Sequence, residues 1–366
     1  MNTKKIELPP YPQTTDMWQS LARERRPIVV YGMGNGADKL IERLDKYGIK
    51  ISDFFASDGF VRGHSFRGYK ILSFSEIKEK YSDFVILLSF ASNRKEVVEM
   101  LCAIDGEHDM LVPDMPVCDT EEYFDKDFYN ENYNEIVRAY ERLDDDFSRD
   151  LYASIVWFKL TGRMKYIMNF TSEKEEIYSL LNPEKNEIII DAGAYNGDTL
   201  MEARQYFPKL KTAYAIEPDS RNFKKLIKYS EAENSFEAIC INAAVWSEVS
   251  VGTFSDSGNR NSTVSATASF EHKKTAVPFI SLDSLDLGSV DYIKYDVEGA
   301  EAEALIGSEK TISRCHPALL VSLYHRSRDV FSLVNYLADK YTYYRFYLRR
   351  IRCLPAWEID LILTAY

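Results

Sequence analysis

The sequence is poor in cysteine, and its cysteines form no pattern. Among 366 residues there are five, none in a Cys-x-x-Cys pair or beside a histidine at metal-ligand spacing. They are Cys102, Cys118, Cys240, Cys315 and Cys353. Because their number is odd and their positions are scattered, they predict neither a disulfide framework nor a metal site. We expect reduced thiols in or near a core.

Long apolar runs are also missing. The longest, such as residues 84–88, are far shorter than the roughly 20 apolar residues that a membrane-spanning helix needs. Near the N-terminus, Pro9, Pro10 and Pro12 stand where a secretory signal would have its apolar stretch. We therefore expect a cytoplasmic protein with no membrane span.

Positive charge is in short supply, with 45 Lys and Arg against 57 Asp and Glu and a net charge of −12. A surface of this sign repels polyanions, so a nucleic-acid partner is not expected. Hydrophobic residues make up 45% of the chain and charged residues 28%, which is typical of a folded globular protein. A length of 366 residues predicts two to three domains.

Two segments have the pattern of a parallel α/β unit, in which a β-branched run is followed by a glycine-rich turn and a helical pattern. They predict two separate sheets, one in an α/β domain at 26–115 after a tail at 1–25, the other in a domain at 186–366. The expected strands are 27–31, 51–56 and 84–89 in the first domain, and 187–191, 212–216, 236–242, 292–295, 318–323, 343–348 and 359–364 in the second.

Residues 116–185 are predicted to form a helical connector between the two domains. Apolar residues recur there at helical spacing, and Gly162 predicts a helix end. The apolar positions are Tyr133, Ile136, Tyr140, Leu143, Phe147, Leu151, Ile155 and Phe158. We expect this face to pack on a neighbouring domain or on a second subunit of a homodimer, or to contribute to an acceptor site.

The turn after the strand at 187–191 has the form D-x-G-x-x-x-G, from Asp191 to Gly197. Glycines at a strand end let a ligand approach the backbone, and the following helix offers its N-terminal amides. Glu217 closes the next strand, 20 residues after Gly197, where a carboxylate can accept hydrogen bonds from ribose hydroxyls. The two acids indicate a nucleoside ligand without phosphate, and S-adenosylmethionine is the common ligand of that kind.

Residues 188–337 contain this turn and several further motifs, and together these motifs resemble the FkbM family of S-adenosylmethionine-dependent methyltransferases. The specific motif is K-x-D-x-E-G-x-E at 294–301; the others are at 190–199, 242–246, 281–285, 305–307 and 323–326, with Asp329. The resemblance implies an α/β class I methyltransferase fold, a seven-stranded Rossmann-like sheet with one antiparallel strand. It also implies methylation of a hydroxyl group, often on a sugar or a polyketide.

The resemblance further implies which residues bind the cofactor. Asp191 and Glu217 hold its amino-acid and ribose parts, and Asn242 with Ala243 lies near the adenine, although related families often have Asp where this chain has Asn242. The turn that lines the cofactor comprises Gly193, Ala194, Tyr195, Gly197, Asp198 and Thr199.

A sugar hydroxyl is a poor nucleophile until it loses its proton, so a base or a metal ion should lie within hydrogen-bond reach. The candidate catalytic residues are Asp296, Glu298 and His325. Gly299 predicts that the strand ends near Asp296, which favours Asp296 at the strand tip and leaves Glu298 in the turn. His325 follows the fifth strand at the same sheet edge, and we expect it or Asp296 to accept the proton, directly or through a divalent ion.

A polar segment at 254–269, rich in Ser, Thr, Gly and Asn, is expected to be a loop that covers the acceptor as a lid or forms solvated surface. Within it, Arg260 is a candidate partner for an anionic group of the acceptor.

The first glycine turn, with Gly32, Gly34, Asn35 and Gly36, fits G-x-G-x-x-A between a strand and a helix. Asp58 stands at the end of the next strand, and the segment 54–72 resembles Rossmann-like domains of sugar acyltransferases and related nucleotide binders. For this first domain we consider three interpretations: a nucleotide or nucleotide-sugar site, a scaffold without a ligand and, less favoured, a dehydrogenase.

These observations predict a two-domain O-methyltransferase that acts on a glycan or another hydroxylated metabolite. One alternative is a regulatory protein that binds a nucleotide or nucleotide-sugar and has a silent methyltransferase fold. A second is an NAD(P)-dependent oxidoreductase that uses the first glycine turn.

Overall fold

The computed structural model describes residues 5–61, 63, 65–118, 122–233, 235–255, 263–265 and 274–365. Within them the chain forms three β-sheets, of six, four and seven strands. The α/β class predicted from the sequence is confirmed.

The six-stranded sheet belongs to the N-terminal part of the chain. Its strands are β1 (Ile28–Tyr31), β2 (Asp53–Ala56), β3 (Ser65–Phe66), β4 (Tyr69–Ser73), β5 (Val85–Leu88) and β6 (Asp109–Leu111), in the order β3-β4-β2-β1-β5-β6. All pair in parallel except β3, which is antiparallel to β4. The helices are α1 (Met17–Ala22), α2 (Asn35–Lys46), α3 (Phe74–Lys80) and α4 (Lys95–Glu107). Each of the three expected strands is present, with bounds that differ by one or two residues.

Four helices follow, α5 (Lys126–Glu131), α6 (Tyr133–Glu141), α7 (Asp146–Thr161) and α8 (Lys174–Leu180). As predicted, Gly162 ends a helix: it caps α7 in the left-handed conformation, with φ 65°. Its position is tight as well, because a Cβ there would lie 2.5 Å from the Met17 sulfur.

The seven-stranded sheet contains β7 (Ile188–Ala192), β8 (Thr212–Ile216), β9 (Glu237–Ile241), β14 (Tyr292–Tyr295), β15 (Ala318–Ser322), β16 (Tyr344–Arg350) and β17 (Ile359–Ala365). The strand order is β16-β17-β15-β14-β7-β8-β9, and only β17 runs against the direction of the others. The helices are α9 (Asp198–Tyr206), α10 (Ser220–Ala232), α11 (Glu301–Ile306), α12 (Glu309–Cys315) and α13 (Asp329–Lys340). The expected count of seven strands with one antiparallel strand is confirmed.

A small sheet that the sequence did not predict is inserted between β9 and β14. Its strands are β10 (Ala244–Val245), β11 (Ser250–Ser255), β12 (Thr263–Ser265) and β13 (Lys274–Ile280). The expectation of a loop throughout 254–269 is therefore wrong for 254–255 and 263–265, whose backbone pairs in strands. The rest of that segment, including Arg260, lies outside the described residues, and the lid stays a prediction.

One hydrophobic core connects the three parts of the chain. It runs from Tyr31 and Phe55 of the N-terminal sheet through Phe158 of α7 to Tyr295 and Phe346 of the C-terminal sheet. The predicted apolar positions of the connector belong to this core or pack against it. The connector therefore packs against both large sheets of the same chain, whereas a homodimer contact stays a prediction.

All five cysteines are free, and each is buried or partly buried. The expectation of thiols in or near the core is confirmed. Among the helices of the described ranges, none has the length and apolar character that crossing a membrane requires.

A buried ion pair links the connector to the N-terminal part of the chain. The Lys159 ammonium of α7 donates a hydrogen bond to Asp114 at 2.5 Å, and their side chains are 3% and 7% exposed. A buried charge without its partner is costly, because little water is available to solvate it.

We predict that Lys159→Met destabilises the protein by about 3–5 kcal/mol, because Asp114 is left buried and unpaired. The double variant Lys159→Met/Asp114→Leu should recover most of that loss, since apolar pairs of similar volume replace buried ion pairs well. Urea unfolding of the three proteins measures both effects. An equal loss in the single and double variants would show that packing at Lys159, and not its charge, is what matters.

Candidate active site

The turn after β7 lies against the end of β14. Gly193, with φ 93°, sits so close to this strand that a Cβ would lie 1.8 Å from the Asp296 carbonyl oxygen. No other residue type fits this position without moving the backbone. Gly197, with φ 92°, then forms the N-cap of α9. Gly193 thus allows the turn after β7 to contact the end of β14, where the candidate catalytic residue Asp296 stands.

Glu217 follows β8 and is buried beside this turn. Its carboxylate accepts hydrogen bonds from the backbone N–H groups of Tyr195 at 2.9 Å and Asp219 at 2.7 Å. Burial raises the pKa of Glu217 to about 8. The Asn242 amide donates to the backbone carbonyls of Glu217 and Pro218, so it braces the Glu217 turn.

Lys294, in β14, joins the two strand ends electrostatically. Its ammonium lies 3.8 Å from the Asp191 carboxylate and 3.4 Å from that of Asp296, and it donates a hydrogen bond to the Thr199 hydroxyl at 3.0 Å. Burial raises the pKa of Asp191 to about 6, and neither Asp191 side-chain oxygen has a hydrogen-bond partner. Burial lowers the pKa of Lys294, but Asp191 and Asp296 outweigh it and hold that pKa well above its usual range.

Asp296 follows β14 directly, as expected from the position of Gly299. The Tyr324 hydroxyl donates to its carboxylate at 3.1 Å. Burial raises the pKa of Asp296, but Lys294 and His325 outweigh it, so the pKa lies below its ordinary value. The side chain is 26% exposed. The site therefore holds an ionised carboxylate that a ligand can reach.

His325 is fully buried and surrounded by acids. Nε2 lies 3.4 Å from Glu298 and 3.6 Å from Asp296, while Nδ1 lies 2.9 Å from Glu301. Burial lowers the pKa of His325, but Glu301 and Glu298 outweigh it and raise the pKa well above its usual range. Burial in turn raises the pKa of Glu298, which stands in the turn as expected, with φ 53°.

Glu301 holds in place the turn that carries Asp296 and Glu298. Its buried carboxylate accepts hydrogen bonds from the backbone N–H groups of Val297 and Gly299, at 3.0 and 3.3 Å. From the connector, the Cys118 thiol donates to the Glu298 carbonyl at 3.3 Å. The turn that presents Asp296 and Glu298 is thus fixed from α11 on one side and from the connector on the other.

A cavity of about 330 Å³ opens between these elements. Its wall contains Gly193, Glu217, Lys294, Asp296 and Glu298, together with Lys174, Tyr178, Glu202 and Asp360. Asn93, from the segment after β5, also lines it. Ser92 beside it pairs with Leu354 through two backbone hydrogen bonds, so the N-terminal part of the chain is attached to the cavity wall.

Comparison with known proteins agrees with this geometry. Residues 191–346 match the family model described as the methyltransferase FkbM domain. These residues form an FkbM methyltransferase domain. Its cofactor is S-adenosylmethionine. Among curated protein sequences, no significant match to the chain is found.

Solved structures extend the likeness beyond the FkbM domain. A crystal structure of methyltransferase FkbM from Methylobacillus flagellatus KT has 19% identity and a TM-score of 0.70, covering 98% of this chain and 95% of that one. The whole architecture, including the N-terminal sheet, is thus a known fold. An rRNA methylase from Streptococcus thermophilus (11% identity, TM-score 0.34) covers 52% of this chain and 94% of its own. Aeropyrum pernix fibrillarin with bound S-adenosyl-L-methionine (12% identity, TM-score 0.32) covers 50% and 68%.

The structure brings most of the predicted site residues of the FkbM domain to one cavity. Those on its wall are Gly193, Tyr195, Asp198, Thr199, Glu217, Ala243, Asp296 and Glu298. Asp191, Ala194 and His325 are fully buried, Gly197 caps α9, and Asn242 bonds to backbone. Sequence reasoning missed Lys294 and Glu301 as site residues, although both belong to the K-x-D-x-E-G-x-E motif that identified the family.

In the N-terminal glycine turn, the glycines have packing reasons of their own. A Cβ on Gly32 would lie 2.7 Å from Phe90 and Ser89, and one on Gly36 would lie 2.1 Å from the Ser89 carbonyl oxygen. Gly34 has φ 110° and open space around it, and Asn35 begins α2. Asp58 accepts hydrogen bonds from the Ser75 backbone and hydroxyl at the start of α3, at 3.1 and 2.5 Å. These contacts favour the scaffold interpretation.

We predict that Gly193→Ala destabilises the protein by at least about 2 kcal/mol, because the added methyl group overlaps the Asp296 carbonyl at a positive φ. The matched control is Gly288→Ala, since a Cβ at Gly288 has no heavy atom within 4 Å. Urea unfolding should show a change within about 0.5 kcal/mol for the control. Equal stability of both variants would contradict the close contact between the two strand ends.

Proposed function

We propose that this protein is an O-methyltransferase that methylates a hydroxyl group on a sugar, a glycan or another hydroxylated metabolite. The observation that carries the proposal is the Asp296 carboxylate, which is ionised, open to the cavity and beside the Gly193 turn. A carboxylate in this place can accept the proton of an acceptor hydroxyl.

The cavity residues fit S-adenosylmethionine. Glu217 presents a buried carboxylate to the cavity, which suits ribose hydroxyls, and the turn from Gly193 to Thr199 would hold the amino-acid part. Gly193 lines the cavity, and its missing Cβ faces the Asp296 carbonyl, so the glycine keeps the cofactor turn close to the proposed base. When bound, the cofactor supplies an electrophilic methyl group on a sulfonium sulfur.

The chain's own residues would supply position and charge. A direct displacement needs the acceptor oxygen in line with the transferred methyl group, so the fixed turn at Asp296 and Glu298 contributes by holding the acceptor. Lys294 contributes by keeping Asp296 ionised until a hydroxyl proton arrives. His325 is buried and its pKa is raised, so we assign it to positioning the two acids and assign the base to Asp296.

The acceptor end of the cavity is proposed to include the N-terminal domain. Asn93 offers an amide that can donate to or accept from a hydroxylated molecule, and the Ser92–Leu354 pairing fixes its position. Tyr178 and Glu202 supply further polar groups on the wall. On this account the first domain serves as scaffold and as one wall of the acceptor site.

We predict that the affinity for S-adenosylhomocysteine rises with pH. Burial raises the pKa of Glu217 to about 8 and outweighs the backbone hydrogen bonds from Asp219 and Tyr195, so the free protein holds this carboxyl mostly protonated near neutral pH. Ribose hydroxyls favour the ionised form, so binding releases a proton. Calorimetric titration should show Kd falling by up to about tenfold per pH unit from about pH 6 and levelling off above about pH 8.

The matched variant is Glu217→Gln, which keeps the shape of the side chain and cannot ionise. It should bind S-adenosylhomocysteine more weakly at about pH 8, with a nearly flat pH dependence in this range. The same pH dependence in both proteins would exclude Glu217 as the group that binds the ribose.

We predict that Asp296→Asn lowers methyl transfer by about 10²–10⁴-fold, because the amide cannot accept the hydroxyl proton. Its affinity for S-adenosylhomocysteine should stay within about threefold of the original. Turnover is measured as S-adenosylhomocysteine release across a panel of sugars, glycans and hydroxylated metabolites. Asp83→Asn, at a 69% exposed position of the N-terminal domain, is the control and should retain turnover. Full turnover by Asp296→Asn would contradict the assignment of the base.

A further inference from the structure

Two of the three acids around His325 flank the same ring nitrogen, Nε2. The Asp296 and Glu298 carboxylates flank Nε2, at 3.6 and 3.4 Å, and both carboxylates line the cavity. On the other side of the ring, Glu301 lies 2.9 Å from Nδ1 and is fixed by two backbone N–H groups. The ligand atoms offered by Asp296, Glu301 and His325 all lie within 4.8 Å of one another.

A second observation concerns the hydrogen bonding of the ring. His325 is fully buried, yet neither of its nitrogens is in hydrogen-bond geometry with a partner. Buried polar groups in proteins are nearly always hydrogen-bonded or bound to an ion. Nδ1 has the Glu301 carboxylate 2.9 Å away, so Nε2, with its nearest carboxylates at 3.4 and 3.6 Å, is the nitrogen without a close partner. Its Nε2 faces the carboxylates that open to the cavity.

We propose that Nε2 of His325 and the carboxylates of Asp296 and Glu298 bind one divalent cation, with Glu301 orienting the imidazole from Nδ1. A carboxylate behind a ligating histidine is the usual arrangement in metal sites, because it fixes the ring and its tautomer. Mixed imidazole and carboxylate ligands suit Mn²⁺ or Zn²⁺ better than Mg²⁺.

The two distances from Nε2 are close to those between neighbouring ligand atoms of a metal site. With bonds of about 2.1 Å, neighbouring ligand atoms lie about 3.0–3.4 Å apart. The observed separations of 3.4 and 3.6 Å from Nε2 therefore need to shorten by only a few tenths of an ångström. Metal binding at Nε2 requires the neutral imidazole, so the cation would replace the ring proton that the surrounding acids favour.

This inference rests on the proposed function for its catalytic meaning, because the cation would lie where that function places the acceptor hydroxyl. A cation there lowers the pKa of the hydroxyl, so a carboxylate of the site takes the proton more readily. The binding site itself can be tested without an acceptor.

The experiment is a titration of the full-length protein, after removal of metals with EDTA, with Mn²⁺, followed by the electron paramagnetic resonance of free Mn²⁺. We expect one saturable site per chain, from which Zn²⁺ displaces Mn²⁺. His325→Gln and Glu298→Gln should weaken Mn²⁺ binding at least about tenfold. The control is Glu96→Gln, an exposed acid outside the cavity that pairs with Arg94, and it should bind Mn²⁺ like the original.

Two results would overturn the proposal: no saturable site in the unaltered protein, or unchanged Mn²⁺ affinity in Glu298→Gln. Because Glu298 stands in a partly exposed turn, this variant decides the question even if the buried His325→Gln does not fold. Calorimetry with S-adenosylhomocysteine on the same samples separates the two proposals. If the protein binds the cofactor but not Mn²⁺, only the cation site is contradicted. If it does not bind the cofactor, the proposed function is contradicted.

A second readout locates the cation relative to the cofactor site. Mn²⁺ broadens nuclear resonances steeply with decreasing distance, so bound Mn²⁺ should broaden the protons next to the sulfur of S-adenosylhomocysteine more than those of its adenine. Equal broadening, or broadening that Glu298→Gln leaves unchanged, would place the ion elsewhere and contradict the assignment.

Discussion

The candidate active site depends on one partly buried ammonium group. Lys294 lies between the carboxylates of Asp191 and Asp296, which stand on adjacent strands, and it also binds the Thr199 hydroxyl at the start of α9. Without a cation there, two neighbouring carboxylates in a buried setting would not both ionise. The lysine therefore connects the turn after β7, the proposed base Asp296 and the start of α9 in one charged network.

Contacts elsewhere in the molecule hold the residues of this network in position. Gly193 allows the turn after β7 to touch the backbone of Asp296, and Glu301 fixes the turn that follows it. Around them, one hydrophobic core runs through the N-terminal sheet, the connector and the C-terminal sheet. The N-terminal part of the chain thus contributes to the candidate site, since the segment after β5 supplies Asn93 to the cavity wall.

The sequence was most informative where structure is local. The seven strands were predictable because β-branched runs such as 188–190 are bounded by glycine and polar turns, and the turn at Asp191 was predictable from its glycine spacing. The small sheet was missed because β11 and β12 are rich in Ser, Thr and Gly, which are typical of loops.

Contacts between distant segments could not be predicted from one sequence. The approach of Glu301 to His325 depends on how α11 packs behind the segment after β15, and Asn93 reaches the cavity from another sheet. A lysine within a strand is usually exposed to solvent, so the sequence alone did not indicate a role for Lys294. Its role follows from the carboxylates of Asp191 and Asp296, which lie on either side of its ammonium group.

The central claim, that the C-terminal cavity binds the sulfonium cofactor, is tested most directly by thermal unfolding of the unaltered protein with single ligands. S-adenosylmethionine and S-adenosylhomocysteine should each raise the midpoint, since a ligand at about 100 times its Kd adds about 2.7 kcal/mol. NAD and NADP should leave it unchanged. A midpoint raised by NAD or NADP, and not by either sulfur compound, would contradict the account.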